Sequence, residues 1–321
     1  MIKALAITGP TASGKTALSL SVAQTLGGEI ISADSMQIYR YMDIGTAKAT
    51  AEERATAPHH LLDIVDPKDS YSCEAYRADA MRVAEDITDR GRLPIFVGGT
   101  GLYIDTLLRR PTDLAPPSDP EYGARLLSGL APEEAPDILW QRLSEVDPDS
   151  AQAIHKNNLR RVIRALEIYD ATGMTKSHLD RLSRSEASDI GIGLITIDFH
   201  DRELLYERID RRVGQMMEEG LVDEVTELYR RGLLTSDSTA GQAIGYKELL
   251  SYIEGRESLD SAIEQIKLSS RRYAKRQLTW FRRYANAYRL YADRPEGGMR
   301  GAEELASEAF IVAHELIGHL S

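Results

Sequence analysis

The sequence predicts an α/β protein: a parallel sheet core, a helical insertion, and a mostly helical C-terminal part. Three observations carry that expectation. Short apolar runs alternate with helical periodicities over residues 3–97, the pattern of a parallel sheet covered on both faces. Each of the first three apolar runs ends in residues suited to a ligand: the Gly9 loop, Asp34-Ser35, and Gly98-Gly99-Thr100. The strand-like pattern lapses beyond a proline-rich stretch at Pro111, Pro116, Pro117 and Pro120, then resumes at Gly191.

Taken in order, Lys3 to Thr8 reads as a buried strand, Gly9 to Gly14 as a turn-rich loop, and Lys15 to Leu26 as a helix closed by Gly27-Gly28. Glu29 to Ala33 is a second strand, Tyr76 to Arg90 a helix, and Leu93 to Val97 a third strand. From Pro116 to about Ala187 the pattern is helical and polar, with Leu159, Val162 and Leu166 forming an apolar stripe. This predicts a core of residues 1–115 and 190–321, with a helical insertion domain at 116–189. Gly191 to Phe199 is again strand-like. Helices are expected at Glu203–Glu219, Val222–Arg231, Gly245–Ile253, Leu259–Tyr288 and Ala302–Ile317.

Composition limits the function classes. The chain has 321 residues and a formal net charge of -11, which by itself disfavours nucleic acid as a partner, although local patches matter more than the average. The one cysteine, Cys73, excludes a disulfide framework or a multi-cysteine zinc site. No apolar run is long enough for a membrane span, and Gly9 and Pro10 interrupt the N-terminal apolar run before it can read as a signal peptide. A cytoplasmic protein, off the membrane, is expected.

Gly9-Pro10-Thr11-Ala12-Ser13-Gly14-Lys15-Thr16 fits G-x-x-x-x-G-K-[ST]. Its glycines let successive backbone N–H groups turn inward on an anion, and the helix that follows adds its positive end. Lys15 supplies a mobile charge, and the Thr16 hydroxyl is placed to ligate Mg²⁺. Together with the strand–loop–helix context, the motif makes the core P-loop NTPase-like and predicts phosphate binding. The default owner of such a loop is an ATP-using small-molecule kinase, which usually has an acid at the end of an apolar strand for its metal. The third strand ends in glycines and Thr100 instead, and the acid stands on the second strand, at Asp34. A lone Asp in that place is often a helix cap; beside a phosphate loop, a functional role is an equal expectation.

These blocks resemble one family closely. The loop at 9–16, Asp34-Ser-Met-Gln-Ile-Tyr, Met42-Asp-Ile-Gly-Thr-Ala-Lys, Pro58-His-His-Leu-Leu-Asp and Gly98-Gly-Thr-Gly-Leu-Tyr occur in that order in tRNA dimethylallyltransferases. Arg160-Arg-Val-Ile-Arg-Ala-Leu-Glu, Gln242-Ala-Ile-Gly-Tyr-Lys and Lys275-Arg-Gln-Leu-Thr-Trp continue the resemblance over nearly the whole chain. The resemblance implies transfer of a dimethylallyl group from dimethylallyl diphosphate, with Mg²⁺, to N6 of adenine 37 beside the tRNA anticodon. By position it implies Asp34 as general base and Thr100 beside the reacting centre, Thr11 to Thr16 and Arg212 at the diphosphate, and Ser35, Met36 and Gln37 at the tRNA. It further implies tRNA contacts from Arg160, Arg161, Val162, Ile163 and Arg164 in the insertion, and from Gln242, Ala243, Ile244, Gly245, Tyr246 and Lys247. Many family members carry an Arg shortly after the Asp-Pro-Glu at 119–121; here Gly123 stands in that place with Arg125 beyond, so that contact is not assigned.

The chemistry agrees with the residues. An adenine N6 is a poor nucleophile and an allylic diphosphate ionises readily. The enzyme must therefore stabilise departing diphosphate, a task for the loop, Lys15 and an Arg, and must accept a proton, a task for Asp34. Between Gln265 and Leu290 stand Lys267, Arg271, Arg272, Lys275, Arg276, Arg282, Arg283 and Arg289, with no Asp or Glu. Lacking local acids, this segment is expected to be unpaired and to contact RNA phosphates, above all through Arg271, Arg272, Lys275 and Arg276. Arg160 and Arg164, one turn apart and opposite the apolar stripe, are expected to project together. His59 and His60 suggest a structural role near the sheet edge. The rival readings are a small-molecule kinase, prenylation of free adenine nucleotides, and a non-catalytic RNA binder. The expected partner is a tRNA anticodon stem-loop, and the expected acting form a monomer.

Overall fold

The computed structural model describes residues 1–109, 116, 119, 121–185 and 188–320. These divide into two compact units, Met1–Leu108 with Asp189–Ser321, and Arg109–Ser188. Pro111, Pro117 and Pro120, residue 115 of the predicted boundary, and Ala187 lie outside the described residues.

The first unit begins with β1 (Ile2–Thr8), α1 (Lys15–Leu26), β2 (Gly28–Ser32), α2 (Ala51–Thr56), β3 (His59–His60), α3 (Cys73–Asp89), β4 (Leu93–Gly98) and α4 (Gly101–Leu108). The second unit contains α5 (Tyr122–Leu127), α6 (Ala135–Val146), α7 (Pro148–Ala153), α8 (Leu159–Thr172) and α9 (Lys176–Ser185). The first unit then resumes with β5 (Ile190–Asp198), α10 (Arg202–Glu218), α11 (Leu221–Arg230), α12 (Tyr246–Ile253), α13 (Leu259–Phe281), β6 (Tyr288–Tyr291) and α14 (Ala302–Gly318).

Its strands form one sheet in the order β3-β2-β4-β1-β5-β6, and every pairing is parallel. The period of two in β1 builds both faces of the core. Leu5 and Ile7 pack with α1, α10 and α14, while Ala4 and Ala6 pack with α3 and α4. Central β1 has β4 on one side and β5 on the other, so its carboxyl end opens at the point where the chain's order reverses, the place where such sheets bind ligands. A third cluster joins α10 to α13 with Ile38, Tyr39 and Met42 from the segment after β2.

One predicted element is corrected. The helix expected over Leu259–Tyr288 stops at Phe281, and the chain turns back to add β6 at the sheet edge, pairing Leu290 with Ile197. No Gly or Pro marks this break. What sets it is tertiary: Leu290 becomes fully buried, and Arg282 and Arg289 both reach the buried Asp198 at the end of β5. The histidines form the other edge. Ile30 pairs with His59 and Ile31 with His60, while His60 Nε2 lies 2.8 Å from the Glu29 carboxylate, which Arg90 also holds.

The second unit has its own core of Leu139, Leu143, Ala151, Ile154, Val162, Ala165 and Leu166. Trp140 Nε1 fastens it by donating to the carbonyls of Ala151 (3.1 Å) and Ile154 (2.9 Å).

Candidate active site

The loops after β1, β2 and β4 line a cleft of about 670 Å³ in the first unit, and α10, α12 and α13 close its other side. Thr11 to Thr16 form one wall. Gly14 takes φ +95°, a left-handed conformation that L side chains avoid, and no side chain caps the start of α1. The first N–H groups of that helix are thus left for an anion. The Ser13 hydroxyl is buried in the same loop without a partner, as an extra donor for such an anion. Lys15 Nζ donates to the carbonyls of Gly9 (3.0 Å) and Pro10 (2.7 Å), which makes these two residues its cradle.

The cleft is electropositive at this end. Arg208 Nε donates to the Ala12 carbonyl (2.8 Å), and Arg212 stands one turn further along α10. Burial pulls Lys15 down to about 7, the neighbouring Arg212 adds to that, and Asp34 opposes it. Burial likewise lowers Arg212, against the pull of Asp34, and lowers Arg208, helped by Arg211. Three desolvated cations facing one carboxylate would gain from an anion of two or more charges.

Asp34 sits across from them at the end of β2. Its Oδ1 accepts from the Met36 N–H (2.9 Å), a local turn that aims the carboxylate. Ser35 is tied from behind: its N–H donates to Thr100 Oγ1 (3.0 Å), and Thr100 Oγ1 donates to Ser35 Oγ (3.2 Å). Thr100 therefore lies one layer behind the wall, holding the loop that carries Asp34. Gln37 faces the cleft but its amide is spent inside the protein, accepting from Ser32 Oγ (3.1 Å) and donating to the carbonyls of Thr46 and Ala47 (both 3.2 Å).

The 42–48 block folds into a knot beside the cleft. Lys48 Nζ, almost wholly buried, bonds the Tyr39 carbonyl (2.8 Å), Asp43 (2.6 Å) and Asp63 (2.7 Å). The Glu224 carboxylate accepts from the N–H groups of Asp43 (2.9 Å) and Ile44 (2.8 Å) and from the Tyr246 hydroxyl (2.6 Å). Among the 242–247 residues, Gln242, Ala243, Ile244, Gly245 and Lys247 line the cleft, whereas Tyr246 is fully buried and packs on Gly45.

The basic segment is only partly as expected. Lys267 pairs with Glu264, Arg271 with Asp210, Arg282 and Arg289 with Asp198, and Arg283 with Asp105. Glu264 stands on α13 just before the segment, and Asp210, Asp198 and Asp105 come from other elements, so the expectation of an unpaired stretch is corrected for these five. Arg272, Lys275 and Arg276 are exposed and form no ion pair among the described residues. In the second unit, Arg160 and Arg161 are exposed, while Val162 is buried in its core and Ile163 half-buried. Arg164 does not project with Arg160, because its guanidinium is held by Glu167 (2.6 Å) and the Pro116 carbonyl (2.6 Å). Arg125 is held by Asp119 (2.5 Å) and leans over the Tyr122 ring.

Among the cleft residues that the sequence did not single out as site residues are Arg208, Arg211, Tyr273 and Gln277. Arg208 had a signal, lying four residues before Arg212 on one helix face. Tyr273 and Gln277 share a similar spacing on α13, but neither has local chemistry that marks it as a cleft residue. Among the described residues, no three His, Cys, Asp or Glu side chains converge on a metal, and no helix is long and apolar enough to cross a membrane. Thr16 and Asp34 on the cleft wall therefore fit a divalent cation carried in by a polyphosphate, not one caged by the protein alone.

Comparison with known proteins agrees with this geometry. A family model described as IPP transferase matches residues 37–284, and one described as isopentenyl transferase matches residues 2–63. A tRNA dimethylallyltransferase of Geobacillus thermodenitrificans is 51% identical over 282 residues, covering 87% of each chain. One of Bacillus mycoides is 49% identical over 283 residues, again 87% of each. The crystal structure of a full-length tRNA isopentenylpyrophosphate transferase from Bacillus halodurans is 43% identical over 98% of both chains, with a TM-score of 0.69. A eukaryotic dimethylallyltransferase acting on tRNA superposes at 0.81, with 32% identity over 97% of this chain and 80% of that one. The chain belongs to the IPP transferase family.

Proposed function

We infer that the protein is a tRNA dimethylallyltransferase: it moves a dimethylallyl group from dimethylallyl diphosphate to N6 of an adenine, adenine 37 beside the anticodon. The observation that carries this is the pairing, in one cleft, of a phosphate loop backed by Lys15, Arg208 and Arg212 with a single carboxylate, Asp34. In the reaction the C–O bond to diphosphate breaks, the C–N6 bond forms, and one N6 proton passes to the Asp34 carboxylate. The loop N–H groups, the Ser13 hydroxyl and the three cations stabilise the negative charge that develops on the leaving oxygens. Mg²⁺, held by the Thr16 hydroxyl and the diphosphate itself, would neutralise part of the same charge. Ser35 and Met36, fixed by Thr100 and Asp34, form the acceptor wall.

We propose RNA contacts from Arg272, Lys275 and Arg276 on α13 in the first unit and, independently, from Arg160 and Arg161 in the 109–188 unit. Val162 and Tyr246 support the backbone of their segments from within the cores. We propose that the protein acts in the cytoplasm as a monomer.

The test offers an unmodified anticodon stem-loop, AMP and ATP in separate reactions, each with dimethylallyl diphosphate and Mg²⁺, and reads products by mass spectrometry. The expected result is dimethylallyl gain on the stem-loop adenine. Gain on AMP with none on RNA would instead make the acceptor a free nucleotide.

A further inference from the structure

We propose that Gln277 is a positioning residue that fixes the distance between the leaving-group loop and the acceptor loop. Gln277 lies on α13 and is 4% exposed. Its Oε1 accepts from the Thr11 N–H (2.8 Å), in the phosphate loop. Its Nε2 donates to the Gly99 carbonyl (2.9 Å), just before Thr100. The orientation of the amide is forced, because a backbone N–H needs an acceptor and a carbonyl needs a donor. The contact is close enough to dictate its neighbour: a Cβ added at Gly99 would stand 2.1 Å from Gln277 Nε2.

The consequence is a continuous tie across the cleft. Thr11 is held by Gln277, Gln277 holds Gly99, and the next residue, Thr100, holds Ser35 beside Asp34. Besides that tie, Gly98 packs against the Ala33 carbonyl so closely that any Cβ there would clash at 2.1 Å, which keeps the β4 loop against the β2 end. The acceptor side is therefore one rigid body, and Gln277 is the side chain that sets its register against the donor loop. Tyr273, just over one turn before Gln277, lines the same wall with its phenol raised chiefly by burial and by the nearby Asp34, so it remains a neutral spacer. In a transfer reaction this register decides whether N6 meets the allylic carbon in a near-attack geometry, and a misplacement of about 1 Å costs on the order of 10²-fold in rate.

The inference rests on the prenyl-transfer reading above, and the parent protein in the same assay separates the two. If the parent yields no dimethylallylated stem-loop, that reading fails; only where the parent transfers do the variants judge Gln277. Single-turnover transfer is measured for the parent, Gln277→Ala and Gln277→Glu, alongside Kd for dimethylallyl diphosphate and for the stem-loop. Gln277→Ala should lose roughly 10²-fold in transfer rate while both Kd values stay within about threefold of the parent. Gln277→Glu keeps an acceptor for Thr11 but sets an oxygen against the Gly99 carbonyl. It should be equally slow at alkaline pH and regain rate relative to the parent as pH falls, because the protonated carboxyl again has a hydrogen to donate. Should Gln277→Ala fail to fold, this pH-dependent recovery alone decides. Parent-like transfer by the variants, a Kd loss that accounts for the rate loss, or a Gln277→Glu defect that ignores pH would each overturn the proposal.

Discussion

At the scale of single residues, the cleft carries its charge at a cost that only an anion relieves, and this makes two predictions. Lys15 is held at about 7, below its ordinary 10.5, by burial and by Arg212. A bound diphosphate favours the ammonium and lifts that value back. Binding must then take up a proton wherever the free protein has lost it, so affinity falls as pH rises above about 7. At about pH 8 the diphosphate is itself fully ionised and the uptake belongs to the protein. Titration calorimetry in two buffers of different ionisation heat should show it near pH 8, hardly at all near pH 6, and not in Lys15→Ala; heats that do not depend on buffer would refute the linkage. Asp34→Asn keeps the turn to Met36, since an amide oxygen also accepts that N–H. It should lower transfer by about 10²–10⁴-fold while RNA affinity holds; an equal loss of affinity would make Asp34 a binding residue. Asp34 and Lys15 were legible in the sequence because their chemistry is local to a motif. Gln277 was not, because its meaning depends on Thr11 and Gly99, both far away along the chain.

At the scale of elements, α13 and its sequel show where sequence reading stopped. Strands β1, β2, β4 and β5 and the longer helices of the first unit followed from periodicity, because a half-buried helix and a two-faced strand leave distinct patterns in which residues are apolar; the short edge strands β3 and β6 did not. The stretch 282–291 has no such pattern: aromatic and basic residues run on without Gly or Pro. Pairing with β5 and the pull of Asp198 on two arginines end the helix there. The same contacts sort the basic residues by task. Arg272 and Lys275 face solvent without carboxylates and off the cleft, so each one changed to Ala should weaken RNA binding and reduce the salt slope by about 0.7–0.9 without moving the melting temperature; Arg276 also lines the cleft, over the Tyr273 ring. Arg282 is bonded to Asp198 at 3.0 and 3.1 Å, and that carboxylate is 2% exposed. Arg282→Ala should therefore destabilise the fold by about 1–3 kcal/mol and leave the salt slope alone. Melting curves and a salt titration of each variant would read both; a slope change in Arg282→Ala would put that side chain on the RNA.

At the scale of the whole molecule, 50 acidic residues outnumber 39 basic ones, so an RNA partner must be gripped by patches and not by the net field. The patches fall on both units. The first contributes Arg272, Lys275 and Arg276, the second Arg160 and Arg161, while Arg164 is engaged with Glu167. If one stem-loop spans both, the two sets act on the same equilibrium without sharing a contact. The pair Arg160→Ala with Arg161→Ala and the pair Arg272→Ala with Lys275→Ala should then each weaken RNA binding. Combined, their free-energy losses should add to within about 0.5 kcal/mol. Neither pair should alter affinity for dimethylallyl diphosphate, because none of the four lines the cleft. Filter binding of the stem-loop to the three variants measures this directly. A combined variant that binds no worse than the Arg272→Ala, Lys275→Ala pair would mean that the RNA does not use the 109–188 unit, which would then need another purpose for its exposed arginines.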